Sequence, residues 1–290
     1  MIKLVISGGD SFTYGAELPD DDYGPAKGSW AQLVANELNA KHINKAMSGR
    51  SNSFIVRHII NAIHEASQHN YYPQEIFVQV MWTFAGRLEI PINFNTERDD
   101  SPWFPIDPYV CGDESKSKWF KKVSKDTPNY EATRSFLRNR YKINKKLGLV
   151  DFTKEYYKVT QGVYDTYLSL KEILMLQDFL DKRNVKYMFT YVNEHVMRAL
   201  RDHVDNYGHN YDHGLVSIDK FTNGLRNFIK FDEWYKFPGN KEFMGFDDWA
   251  KANGYPYATS HPLEQAHKDA AELLYEQAKQ IITGGVGPLP

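Results

Sequence analysis

Apolar positions recur with two alternating periods along the first third of the chain. Ile2 to Ile6 is a short run rich in β-branched residues that stops at Gly8-Gly9, the pattern of a buried strand. Residues 28–39 place Trp30, Leu33, Val34 and Leu38 at helical spacing behind Ser29, whose hydroxyl suits an N-cap. His42 to Ala46 fits a second short strand. Residues 53–67 return to helical spacing at Phe54, Ile55, Ile59, Ile60 and Ile63, and Glu75 to Met81 reads as a third strand. Strand-helix alternation with short connections predicts a parallel sheet covered by helices on both faces.

The alternation then breaks. Residues 90–130 are rich in Pro, Asp, Lys and aromatics without a steady period, which predicts a long insertion with little regular structure. Residues 131–147 are basic and predicted helical; the run at 134–146 reads as a solvated helix face. An amphipathic helix is predicted over 164–182, with Asn184 as its stop and Val185 to Val192 as a fourth strand. Residues 195–217 are expected to be a loop rich in His and Asp, Phe228 to Phe231 a fifth strand, and 263–282 a final helix. The closing GGVGPLP cannot be helical and is expected to be flexible. With no internal repeat in view, the expected organisation is one domain over 1–283, with insertions at about 90–160 and 195–225.

Composition narrows the class. With 42% hydrophobic and 25% charged residues among 290, the chain reads as globular. A formal net charge of −2 argues against a nucleic-acid binder, which carries a net basic face. The lone Cys111 excludes an internal disulfide. The Ile2–Ile6 run is too short for a signal-peptide core, and no stretch reaches membrane-spanning length. The expectation is therefore a soluble protein, cytoplasmic or virion-associated, without a membrane partner. Aromatic content is high, and Trp103, Phe104, Tyr109, Trp119 and Phe120 gather in the first insertion, where flat rings suit either packing or a sugar. Residues 203–213 hold the residue types of a metal site but no known ligand spacing, so no metal or other cofactor is expected.

Three segments carry candidate chemistry. Gly8-Gly9-Asp10-Ser11-Phe12-Thr13-Tyr14-Gly15 follows the first strand directly. A serine on a tight turn at the carboxyl end of a parallel strand lies where open α/β sheets bind ligands. Asn44 to Asn52 (NKAMSGRSN) follows the second strand and offers Gly49 for a close backbone approach. His261-Pro262 precedes the last helix. Each alone is an ordinary loop feature; their order along an alternating β/α chain makes them a candidate site.

Together these segments resemble the SGNH/GDSL hydrolase family. Its first block is similar to Gly9-Asp10-Ser11, its second to Asn44–Gly49, and its last to Ser260-His261-Pro262 before a long helix. A looser likeness runs to the divergent members found in tailed phages and environmental bacteria. The resemblance spans the chain in order and is specific at both ends. It implies a flavodoxin-like three-layer α/β/α sandwich with a five-stranded parallel sheet. It also implies Ser11 as nucleophile, His261 as general base, and the N–H groups of Ser11 and Gly49 as oxyanion donors. The implied function is a serine esterase or deacetylase acting through an acyl-enzyme on a small acyl ester, carbohydrate esters included. The alternative is a binding or structural protein that keeps the scaffold without catalysis.

Two positions depart from the family pattern. The expected Gly-x-Asn-Asp after the third strand is Met81-Trp82-Thr83-Phe84, so Thr83, Asn52 and Asn193 are the candidates for the third oxyanion donor. The Asp expected three residues before the histidine is Ala258. A main-chain carbonyl in 256–260, or the carboxylate of Asp247 or Asp248, is expected to hold the second ring nitrogen of His261 in its place. The oligomeric state and the acyl and alcohol groups of the substrate are not legible.

Overall fold

The computed structural model describes residues 1–91, 103–106, 145–146, 148–160, 163–201 and 219–284. In chain order the strands are β1 (Leu4–Gly8), β2 (Lys41–Asn44), β3 (Ile76–Trp82), β4 (Leu88–Pro91), β5 (Trp103–Ile106) and β6 (Lys186–Tyr191). The helices are α1 (Ser11–Tyr14), α2 (Trp30–Glu37), α3 (Asn52–Gln68), α4 (Leu149–Thr160), α5 (Val163–Lys182), α6 (Glu194–Arg201), α7 (Asp219–Phe228), α8 (Phe246–Ala252) and α9 (Glu264–Thr283).

The main sheet runs β2-β1-β3-β6 with every pair parallel. The central strands β1 (LVISG) and β3 (IFVQVMW) are buried along their whole length, which explains why they are apolar but for Ser7 and Gln79. The edge strand β2 (KHIN) is half exposed and correspondingly polar. Successive side chains of β1 face opposite layers. Ser7 Oγ accepts a hydrogen bond from Gln79 Nε2 at 2.7 Å, and the same amide reaches the Ala31 carbonyl of α2 at 2.8 Å. Gly8, on the other face, lies so close to α3 that a Cβ there would meet Ile59 Cγ1 at 2.9 Å. Helices α2 and α9 pack together on the first face, α3 and α5 on the second. The architecture is a three-layer α/β/α sandwich of flavodoxin-like strand order, whose ligand crevice falls where the order reverses, at the carboxyl ends of β1 and β3.

Two expectations need correction. The described residues hold four parallel strands, not five. Phe228–Phe231 ends α7 and enters a 3-10 turn at Phe231–Glu233, with Ile229 N–H donating to the Leu225 carbonyl at 3.3 Å. The stretch Phe-Ile-Lys-Phe suits a helix end as well as a strand, and packing decided between them. An irregular segment lies along β6 instead: Tyr235 N–H donates to Phe189 O at 2.8 Å, and Thr190 Oγ1 to Tyr235 O at 3.0 Å. The first insertion also contains regular structure, since β4 and β5 form an antiparallel ribbon from Leu88↔Ile106 to Pro91↔Trp103. Trp103 and Phe104 are on that ribbon; Tyr109, Trp119, Phe120 and residues 134–144 lie outside the described residues.

Helix α6 occupies the start of the expected 195–217 loop, capped by Asn193 Oδ1, which accepts from Val196 N–H at 3.2 Å. Residues 202–218 and 285–290 lie outside the described residues. Among the described residues no helix is long and apolar enough to cross a membrane.

Candidate active site

The turn after β1 is built by steric exclusion and one buried carboxylate. A Cβ on Gly9 would sit 2.0 Å from Thr13 Oγ1 and 2.6 Å from Thr13 Cβ, so only glycine fits there. Asp10 caps the single-turn helix α1, its Oδ1 accepting from Phe12 N–H at 3.1 Å. Its Oδ2 accepts from the Thr83 hydroxyl and from Arg87 Nη1, both at 2.6 Å. Wholly buried, Asp10 is thereby paired and hydrogen-bonded, as a buried charge must be. Helix α1 closes on Gly15, whose φ of 80° and N–H bond to Ser11 O form a left-handed cap. Ser11 is thus the first residue of a helical turn at the carboxyl end of a central strand. Its N–H belongs to the set that has no acceptor within a helix.

The loop after β2 is fastened to this turn. Met47 N–H donates to Gly9 O at 3.4 Å and Asn44 Nδ2 to Thr13 O at 3.1 Å. Gly49 follows in the left-handed region with φ 72°.

His261 arrives from the far end of the chain. Its loop is drawn tight by Ala258 N–H to His261 O and Leu263 N–H to Pro256 O, each 3.0 Å, and by a bridge between Tyr257 and Pro262. The imidazole lies against the Phe12 ring with centroids 4.8 Å apart. Its Nε2 is 2.8 Å from Ser11 Oγ, and its Nδ1 is 3.0 Å from Glu17 Oε2. An ionised carboxylate only accepts hydrogen bonds, so Nδ1 carries the ring proton and Nε2 is left to accept from the serine hydroxyl. The same Glu17 oxygen accepts the backbone N–H groups of Ser260 at 2.9 Å and His261 at 3.0 Å. Ser260 Oγ also approaches Nδ1, at 3.2 Å. Burial pushes the Glu17 carboxyl up, but the hydrogen bond and charge of His261 and the two backbone donors outweigh it and hold the carboxyl below its ordinary range.

Neither aspartate expected beside His261 makes this contact. Asp247 Oδ2 pairs with Lys251 at 2.6 Å and its Oδ1 accepts from Tyr257 OH at 3.0 Å. Asp248 accepts from Glu194 N–H and pairs with Lys241 at 3.2 Å. No main-chain carbonyl of 256–260 is needed, because Glu17 already meets Nδ1.

Two of the three candidates for a third oxyanion donor are spent elsewhere. The Thr83 hydroxyl donates to Asp10. Asn52 Nδ2 donates to Thr83 O at 3.1 Å and to Ser169 Oγ at 3.2 Å, while its Oδ1 accepts from Thr83 N–H. It staples α3 to the loop after β3. Asn193 follows β6, which is separated from β1 by β3, and caps α6. Sequence pattern alone does not point to Glu17 or Arg87. The chain offers no local mark for either: Glu17 is one acid among several in residues 17–22, and Arg87 lies four residues beyond Thr83. Among the described residues no group of three or more His, Cys, Asp or Glu side chains is placed to hold a metal ion. The loop 203–213 lies outside them.

A parallel three-layer sandwich with a hydrogen-bonded serine and histidine at its switch point is the class that the fold and geometry define. No protein-family model matches the chain, and no curated protein matches it. Among solved structures it is similar to a member of the lipolytic G-D-S-L family from Veillonella parvula, at 10% identity over 97% of this chain and 98% of that one, with a TM-score of 0.41. It is also similar to an acetyl xylan esterase from Butyrivibrio proteoclasticus, at 13% identity and TM-score 0.42, covering 96% of this chain and 63% of that one. A lipase from a goat rumen metagenome is similar at 13% identity and TM-score 0.39, over 95% of this chain and 97% of that one.

Proposed function

We propose that this protein is a serine-dependent ester hydrolase of the SGNH type, built as one domain over residues 1–283. The observation that carries this reading is the 2.8 Å contact between Ser11 Oγ and His261 Nε2 at the carboxyl end of β1. A serine hydroxyl is a weak nucleophile until a base takes its proton as it attacks, and an imidazole whose Nε2 faces that hydroxyl is placed to do so. Ser11 Oγ adds to the ester carbonyl and its proton passes to His261. The negative charge that forms on the carbonyl oxygen is met by the N–H groups of Ser11 and Gly49. Collapse expels the alcohol, which takes the proton from His261 and leaves an acyl-Ser11. Water, deprotonated by His261, then releases the acid and restores Ser11. Every step uses groups of the chain itself.

With Thr83 and Asn52 committed, the third donor of the family pattern has no counterpart in either side chain. Loss of one such donor costs on the order of 10²–10³ in rate, so the expected enzyme is slow. The substrate class is a small acyl ester, a carbohydrate ester in particular, on the strength of the aromatic residues of the first insertion, Trp103 and Phe104 among them. Hydrolysis of p-nitrophenyl acetate and of acetylated xylo-oligosaccharides by the wild-type chain and by Ser11→Ala tests the reading. Turnover that survives in Ser11→Ala, or none in the wild type across a panel of acyl esters, would return the molecule to the non-catalytic scaffold alternative.

A further inference from the structure

We infer that Glu17, carried on the nucleophile's own loop, is the positioning acid of the site, replacing the aspartate that would stand three residues before His261. The inference rests on the hydrolase reading above and adds a residue to it.

Three observations support it. The first is the contact itself. Glu17 Oε2 lies 3.0 Å from His261 Nδ1, on the side of the ring opposite Ser11, so serine, imidazole and carboxylate stand in line. The position that would bear an acid in the histidine's loop is Ala258, whose N–H is turned inward to the His261 carbonyl at 3.0 Å. The second is the backbone. Glu17 has φ 68°, in the left-handed region that strains a residue with a Cβ. Its flanking residues Ala16 and Leu18 are both buried, so the chain turns through Glu17 with its neighbours held inside. The Glu17 N–H is fixed by Asp21 Oδ2 at 2.7 Å, and Tyr14 OH holds the Asp21 carbonyl at 3.2 Å. Strain of this kind persists only where the surroundings over-determine it, and here they aim one carboxylate at one imidazole.

The third is the convergence of donors. Ser260 N–H, His261 N–H and the His261 ring all point at the same oxygen. Such an oxygen stays ionised, and an ionised oxygen at Nδ1 both selects the tautomer with Nε2 free and steadies the imidazolium formed when Ser11 gives up its proton. The other groups that face the ring do not supply that charge. Ser11 and Ser260 present hydroxyls and Phe12 a hydrocarbon ring. His267, the remaining titratable group interacting with it, is fully buried and stays neutral, its pKa held down to about 3 by burial.

Glu17→Gln separates charge from shape, because an amide oxygen accepts the same three donors. The test follows the His261 ring by ¹H and ¹⁵N NMR in the wild type and in Glu17→Gln, alongside turnover of p-nitrophenyl acetate. In the wild type, neutral His261 is expected with its proton on Nδ1, the minor tautomer of free histidine. In Glu17→Gln the downfield resonance of its Nδ1 proton moves upfield, because a neutral amide oxygen replaces the ionised acceptor. Turnover falls ~10²–10⁴-fold, the span of general acid-base contributions, with KM changed little and Glu17→Asp recovering part of the loss. An Nε2-protonated ring in the wild type, or an Nδ1 proton resonance that does not move in Glu17→Gln, overturns the inference. Should Glu17→Gln not fold, the wild-type tautomer decides. Ser11-dependent turnover with an unmoved Nδ1 proton resonance counts against Glu17 alone. A moved resonance without serine-dependent turnover counts against the hydrolase reading and not against the Glu17–His261 coupling.

Discussion

Two serine–histidine pairs stand four residues apart where β1 runs into its turn. Ser11 Oγ meets His261 Nε2 at 2.8 Å, and Ser7 Oγ meets His42 Nε2 at 2.6 Å. Each imidazole has an oxygen on its other nitrogen. For His261 it is the carboxylate of Glu17, and for His42 it is the amide oxygen of Gln32 at 2.9 Å. The Gln32 amide is oriented by its own bond to Asn36 Oδ1, so both rings hold their proton on Nδ1 and accept from serine at Nε2. By distance and tautomer the inner pair is the equal of the outer one. It lacks two things. Ser7 is wholly buried between β2, β3 and α2, where no ester can reach it, and Gln32 brings no charge to steady an imidazolium. Burial pushes His42 down to about 4, a ring held neutral. On the proposed reading the two contacts differ in role because Ser7 is enclosed and faces an amide-held ring, whereas the ring at Ser11 is backed by a carboxylate.

The comparison breaks most sharply on the serines themselves. Ser11→Ala is expected to lower turnover by about 10⁴-fold or more, the scale for removal of a nucleophile. Ser7→Ala is expected to leave kcat nearly unchanged while lowering the urea midpoint. A fluorophosphonate probe followed by peptide mass analysis should mark Ser11 and leave Ser7 unmodified; label on Ser7 would undo the contrast.

A smaller effect is expected from Gly9→Ala. The new Cβ has no room beside Thr13, so the turn must shift, and a displacement near 1 Å at a reacting group costs about 10²-fold. The loss should fall on kcat for p-nitrophenyl acetate, with the Ser7–His42 network unaffected.

The inner pair predicts a stability change with pH. The unfolded chain protonates His42 near its ordinary 6.5, whereas the folded chain resists until about 4. Between these values the unfolded state binds the extra proton, so stability falls as pH falls, by about 3 kcal/mol at ~1.4 kcal/mol per pKa unit. Glu17 acts in the same direction at lower pH: its carboxyl is depressed in the fold, so its contribution is present above the unfolded pKa and is lost as pH falls through the folded one. Urea titrations of the wild type and His42→Gln at pH 7, 6, 5 and 4 isolate the histidine. The variant should be the less stable at pH 7 and the gap should close on acidification; a constant gap would show that His42 titrates normally.

The smallest effect is expected at the two aspartates. Asp247 pairs with the exposed Lys251, and Asp248 with the half-exposed Lys241. Both carboxylates are engaged away from the His261 ring. Asp247→Asn and Asp248→Asn should leave kcat within about twofold of wild type, far short of the ~10⁴-fold loss when a triad aspartate is replaced. A loss on that scale in either would move the acid away from Glu17.

The elements nearest the site were legible in the chain. Local rules wrote them: β1 opens on the apolar Leu4-Val5-Ile6 because both its faces and both its edges are covered, Gly9 is glycine because Thr13 leaves no space, and Ser29 and Ser51 cap α2 and α3 with their hydroxyls. The segment Phe228–Phe231 was not legible, since three apolar residues around Lys230 satisfy a helix end and a strand equally. Helix α6 was hidden for a related reason. Its buried Val196, Met197 and Leu200 are set among charged and histidine residues that read as a loop.

From the sequence alone came the alternating β/α order, the serine on the turn after the first strand, and the histidine before the last helix, because periodicity and glycine's steric freedom act within a few residues. The partner of that histidine was decided only in three dimensions. The chain holds 37 acidic residues, and local pattern drew attention to Asp247 and Asp248, which lie nearest upstream in sequence. Glu17, 244 positions away, reaches Nδ1 through a left-handed backbone turn between two buried neighbours and two backbone N–H groups of the histidine's own loop. Which carboxylate meets an imidazole is a matter of long-range packing, and that packing is a property of the whole fold.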